Sequence, residues 1–157
     1  MKKLLSTIMA LVMLLSLVPM AVAEEGVTPE NAVAQIGDQY YKTLEDAVLK
    51  VANGDTITLL KDVTGQVVIP ADKTITLDLG GKTLTNSGTA ILNNGTLTVD
   101  NGTIVSTKNV GICAGDNSET TIQPGVTIEG QEGAVITGYA TGATITINGG
   151  NFSAKDN

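Results

Sequence analysis

Histidine, arginine and tryptophan are absent from this 157-residue chain, and cysteine and phenylalanine occur once each. Without histidine there is no imidazole base, no Ser-His-Asp or Cys-His nucleophile pair and no His-based zinc or haem site. Without arginine there is no bidentate clamp for phosphate or carboxylate. The basic residues are nine lysines set against 16 carboxylates, a net charge of −7, which argues against nucleic acid as a partner and against an anionic lipid surface. The lone Cys113 has no partner for an internal disulfide. It lies in the apolar triplet Gly111-Ile112-Cys113 with no histidine or arginine to activate it, and is expected to be a buried small hydrophobe.

The first pattern that is present is a targeting signal. Lys2 and Lys3 precede an apolar stretch from Leu4 to Val18, then Pro19 and the small-residue end Ala21-Val22-Ala23. This is the layout of a secretory signal peptide over residues 1–23, with cleavage expected after Ala23. A membrane anchor is the alternative reading. The apolar stretch is short for a span, however, and Glu24 and Glu25 follow it at once. The expected location is therefore secreted or cell-surface, with no membrane insertion after cleavage. Losing Lys2 and Lys3 with the signal leaves 7 lysines against 16 carboxylates, a net charge of −9.

Residues 24–32 carry Pro29 and three glutamates without periodicity and read as a flexible leader. Residues 33–54 read as a hairpin turning at Gly37-Asp38 and then one short amphipathic helix. In the helix Thr43 is the N-cap, Glu45 and Asp46 sit in the first turn, and Leu44, Ala47, Val48 and Val51 share one face. Asn53-Gly54 supplies the stop. Of the adjacent Tyr40 and Tyr41, one is expected to pack under this cap.

From residue 55 to 157 the texture changes to Thr, Ile, Leu, Val, Gly and Asn with no helical period. A strand ending on an apolar residue recurs at Leu59, Leu79, Val99, Ile122 and Ile147, spaced by 20, 20, 23 and 25. A second strand follows at Leu84, Ile104, Ile128 and Phe152. A third, compact apolar strand appears as Val67-Val68-Ile69, Ala90-Ile91-Leu92, Gly111-Ile112-Cys113 and Ala134-Val135-Ile136. Independent series with nearly one period predict an all-β chain, a right-handed parallel β-helix of about four to five rungs. One turn cannot bury its own apolar residues, whereas stacked turns form continuous columns. The corners Gly80-Gly81, Asn101-Gly102, Pro124-Gly125 and Gly149-Gly150 suit the positive φ that sharp turns need. An antiparallel sandwich of the same strands is the competing architecture; it does not explain the period.

The stretches VAQIGDQYYKTLEDAVLKVANGDTITLLKDV and VVIPADKTITLDLGGKTLT resemble the pectate-lyase-like right-handed β-helix superfamily. The resemblance is greatest to β-helical repeat regions of secreted and cell-surface proteins of Gram-positive bacteria. It implies that residues 43–51 cap the N-terminal end of the coil. For function it implies little, since this architecture carries lyases, hydrolases, adhesins and spacers alike.

The function expected is that of a non-catalytic secreted or cell-surface module, a stalk or an adhesive contact surface, within a longer protein. The alternative is a polysaccharide-active lyase or hydrolase, or a carbohydrate-binding module. Glycoside cleavage needs two carboxylates flanking the scissile bond. Asp62, Asp78 and Asp100 fall near one edge of the coil, but the catalytic arginine and histidine of the resembled family have no counterpart here, although a lysine such as Lys82 could in principle serve as base. No catalytic residue, cofactor or metal site is assigned. Calcium solenoids repeat Gly-Gly-x-Gly-x-Asp, which is missing, and Asp116, Asn117 and Glu119 read as loop residues. The many outward threonines suggest an ice-binding ladder, with Asp78 and Glu119 interrupting its rows. Among ligand contacts, Tyr139, Asp78 and Asp100 are the candidates, and extracellular polysaccharide or cell-surface components the partners. The sequence stops just after a corner, so self-association through an open C-terminal coil end is also expected.

Overall fold

A computed structural model describes residues 26–155; the expected signal peptide lies outside the described residues. The chain opens with a turn in which the amides of Asn31 and Ala32 donate to the Thr28 carbonyl, and Ala32 is buried. Lys61 Nζ ties this turn down by donating to the Glu30 carbonyl at 2.7 Å. Residues 28–32, the later part of the expected flexible leader, are thus hydrogen-bonded within themselves and to Lys61.

The antiparallel hairpin β1 (Ala34–Ile36) and β2 (Gln39–Tyr41) turns at Gly37, whose φ is +54°. Helix α1 (Leu44–Lys50) follows. The Thr43 side chain accepts from the Asp46 amide at 3.1 Å, satisfying one of the unpaired amides at the helix start. Leu44, Ala47 and Val48 are buried, as the single apolar face requires, and Tyr41 packs against the core beneath them. The helix ends at Lys50, before Asn53-Gly54. Asn53 instead clamps the next turn: its Oδ1 accepts from the Thr74 amide and its Nδ2 donates to the Asp72 carbonyl.

The remainder is a coil of short strands. Its turns contain β3 (Thr56–Leu59), β4 (Val63–Thr64) and β5 (Val67–Ile69); β6 (Thr74–Asp78), β7 (Thr83–Asn86) and β8 (Ile91–Asn93); β9 (Thr96–Asp100), β10 (Gly102–Ser106) and β11 (Val110–Ala114); and β12 (Glu119–Ile122), β13 (Val126–Gly130) and β14 (Gly133–Ile136). Strands β15 (Thr144–Ile147) and β16 (Asn151–Ala154) start another turn. Corresponding strands pair in parallel, giving sheets of seven, five and four strands, and the hairpin extends the first by pairing β1 antiparallel to β3. The architecture is a parallel β-solenoid of about four turns, with one helix at its head.

Inward side chains stack in register. Ile57, Leu77, Val99, Ile122 and Ile147 form one column of the first sheet, and Leu84, Ile104, Ile128 and Phe152 one of the second. Each buried Leu, Ile or Val contributes about 1.5–3 kcal/mol relative to exposure, so the columns are the main source of stability. Polar residues inside are fully engaged. Asn93, with no exposed surface, donates to Thr120 Oγ1 at 2.8 Å and the Glu119 carbonyl at 2.9 Å, and accepts from the Gly95 amide at 3.0 Å.

Two registers differ from the sequence expectation. Leu77, not Leu79, pairs with Val99, so the offset there is two residues longer than expected. Leu79 lies beyond the strand, fully buried in the corner. A Cβ on Gly102 would stand 2.4 Å from the Leu79 Cβ, so the glycine of the next corner leaves the room that leucine fills. In the third sheet Ile69 pairs with Asn93 rather than Leu92. A one-residue change exchanges the two faces of a strand. It turns Asn93 inward and Leu92 outward.

Candidate functional site

A solenoid buries alternate residues, so its chemistry is displayed on the outward positions of each sheet. On the first sheet the register aligns Thr56, Thr76, Thr98, Thr121 and Thr146 in one unbroken row. The parallel row is Thr74, Thr96, Glu119 and Thr144, so Glu119 interrupts one row as expected, whereas Asp78 stands outside both. A further row runs Tyr40, Gln35, Thr58, Asp78, Asp100, starting on the hairpin.

Asp78 and Asp100 are therefore in-register neighbours on adjacent parallel strands. Much of the acid chemistry is spent on the backbone. Asp78 Oδ1 accepts from the Gly80 amide at 2.8 Å and from Asn101 Nδ2 at 3.4 Å. Asp62 Oδ1 accepts from the Thr83 amide at 2.8 Å, and Asp116 Oδ1 from the Thr141 amide at 2.7 Å; each bond fastens one turn to the next. Among the described residues no group of three or more His, Cys, Asp or Glu is placed to hold a metal ion.

Tyr139, fully exposed, lies in the loop between β14 and β15. That loop starts from the third sheet: Gly138 approaches the Cys113 Sγ, not the aspartates. The three candidate contacts thus do not form one site. Tyr40, not Tyr139, is the aromatic that shares a row with Asp78 and Asp100.

The third sheet carries an outward feature that the sequence reading missed. Val68, Leu92, Cys113 and Ile136 are in-register neighbours in an apolar ladder. Cys113 is half-buried, correcting the expectation of a buried thiol: Ile112 and Ala114 point inward, which turns the residue between them outward. The available signal was that these strands are apolar at nearly every position instead of alternating, which means apolar surface on both faces. At the last described turn Ile147 and Phe152 are 55% and 39% exposed, while their neighbours Ile122 and Ile128 one turn earlier are fully buried.

The arrangement defines a β-solenoid scaffold with chemically distinct flat faces. Comparison with protein-family models, with curated proteins and with solved structures yields no match to this chain.

Proposed function

We propose that this chain is a non-catalytic, exported β-helix module of the pectate-lyase-like kind from a Gram-positive bacterium, a stalk or adhesive contact surface at the cell exterior. The observation that carries the reading is the in-register display of threonine on the first sheet, above corner carboxylates that hold the turns together. Rows of hydroxyl and carboxylate groups repeat at the strand spacing of about 4.8 Å, which suits contact with a repetitive partner such as extracellular polysaccharide or another cell-surface component. The test is binding of the purified protein to bacterial or host cells and to polysaccharides, read by sedimentation. Retention without release of reducing or unsaturated ends is expected. Turnover of polygalacturonate would overturn the non-catalytic reading.

A second reading rests on Asp78 and Asp100. Adjacent strands hold them at about the separation that retaining glycosidases use, roughly 5 Å, so a polysaccharide-active enzyme is the alternative. It requires product release that Asp100→Asn abolishes. Self-association is assigned to the exposed Ile147 and Phe152, and concentration-dependent growth in mass by light scattering tests it.

A further inference from the structure

The corners of the coil carry asparagine followed by glycine at Asn53-Gly54, Asn94-Gly95, Asn101-Gly102 and Asn148-Gly149. Such pairs are chemically labile. The main-chain nitrogen of the glycine can attack the asparagine Cγ, and a glycine has no Cβ to block the approach. Geometry decides whether it does. The nitrogen must be free of other hydrogen bonds, and the peptide must be able to turn toward the side chain.

The coil holds the first three pairs shut. The Gly54 amide donates to the Thr74 carbonyl at 2.7 Å, and both polar atoms of the Asn53 side chain are bonded, to the Thr74 amide and the Asp72 carbonyl. The Gly95 amide donates to Oδ1 of the buried Asn93 at 3.0 Å, and a Cβ at Gly95 would run into the carbonyls of Pro70 and Lys73. Gly102 opens β10 wedged against the Leu79 side chain, and Asn101 before it stands in the left-handed region at φ +52°. At each of these corners the reaction requires the turn to leave the coil first.

Asn148-Gly149, between β15 and β16, is built differently. The Asn148 amide is anchored to the Ile122 carbonyl at 2.9 Å, but its exposed side chain makes one long bond among the described residues, from Nδ2 to Gln123 Oε1 at 3.3 Å. The Gly149 amide donates to no group among the described residues. A Cβ there would stand 3.2 Å from Pro124 Cγ, a looser contact than at Gly95 or Gly102.

We propose that Asn148 is a self-modification site, converted on the folded protein to aspartate and isoaspartate while Asn53, Asn94 and Asn101 stay intact. The Gly149 nitrogen attacks Cγ and gives up its proton; the N–Cγ bond forms, the Cγ–Nδ2 bond breaks, and Nδ2 leaves as ammonia. One water then opens the resulting succinimide at either carbonyl. One opening restores the ordinary main chain with an aspartate, and the other routes the main chain through Cβ and Cγ. Both products place a new negative charge beside Gln123, and isoaspartate also adds one main-chain atom to the corner between β15 and β16.

The test is incubation of the purified protein at mildly alkaline pH, folded and in urea, with peptide mapping by mass spectrometry at all four asparagines. In the folded protein Asn148 is expected to convert at least about tenfold faster than each of the others, and in urea the four rates are expected to fall within about threefold of one another. No conversion at Asn148, or another asparagine keeping pace with it in the folded protein, overturns the proposal. So does a lead for Asn148 that persists unchanged in urea, since local sequence alone would then explain it. The mechanism has its own readout. Isoaspartate is expected among the products, and Gly149→Ala, whose methyl crowds the attacking nitrogen, is expected to slow conversion at least about fivefold. Aspartate alone with an unchanged rate in that variant would mean direct hydrolysis by water and would also overturn the proposal.

Discussion

The outer faces of the first and third sheets share one coil, one stacking direction and one strand spacing, yet carry opposite chemistry. Threonine occupies five successive outward positions on the first; Val68, Leu92, Cys113 and Ile136 occupy four on the third. Their inward neighbours are alike, aliphatic and buried, with Asn93 and Thr120 as a bonded polar pair. Folding constrains the inward half of each strand and leaves the outward half free to differ from sheet to sheet. The difference between the faces is accordingly a difference of surface chemistry, not of fold.

That division can be broken most severely from inside. Replacing Leu97 by Ala on β9 is expected to cost about 2–5 kcal/mol in urea unfolding, whereas the same change at its outward neighbour Thr98 is expected to stay within about 0.5 kcal/mol. The third sheet offers the matching pair. Asn93→Ala removes three hydrogen bonds and is expected to cost about 2–4 kcal/mol, since it leaves buried partners unmade; Leu92→Ala beside it should cost about 1 kcal/mol or less. At the head of the coil, Thr43→Ala is expected to lower stability by about 1 kcal/mol through loss of the helix cap, measured by the same unfolding curve. The smallest effect on stability sharpens the comparison most. Leu92→Thr, which extends the chemistry of the first sheet to the third, is expected to shift unfolding by no more than about 0.5 kcal/mol while reducing the fluorescence of a hydrophobic dye.

Much of the coil was legible in the sequence because parallel stacking repeats the same inward demand every turn. The offsets from Val99 to Ile122 and on to Ile147, and the whole second-strand series from Leu84 to Phe152, stand as the spacing predicts. The slip between Leu77 and Val99 arose at a corner. Leu79 reads as the end of a strand, but the segment between Asp78 and Thr83 holds two more residues than that between their register partners Asp100 and Thr103, and leucine fills the space above Gly102. The third sheet was harder for a related reason: where every position is apolar, alternation gives no phase, so Asn93 inward and Leu92 outward could not be told from the reverse. Of the candidate contacts, the adjacency of Asp78 and Asp100 follows from their register, and the separation of Tyr139 from them depends on the path of one loop.

The most direct test of the stacked architecture and its register is pairwise cysteine crosslinking in a Cys113→Ser background. Thr76→Cys with Thr98→Cys are in-register neighbours, within the Cα separation of about 4.4–6.8 Å that a disulfide tolerates. Asp78→Cys with Thr98→Cys, which a uniform 20-residue repeat would bring together, are diagonal and about 8 Å apart. Mild oxidation followed by mass spectrometry is expected to give an intramolecular disulfide in the first pair and free thiols in the second. The reverse result, or no crosslink in either pair, would contradict the account.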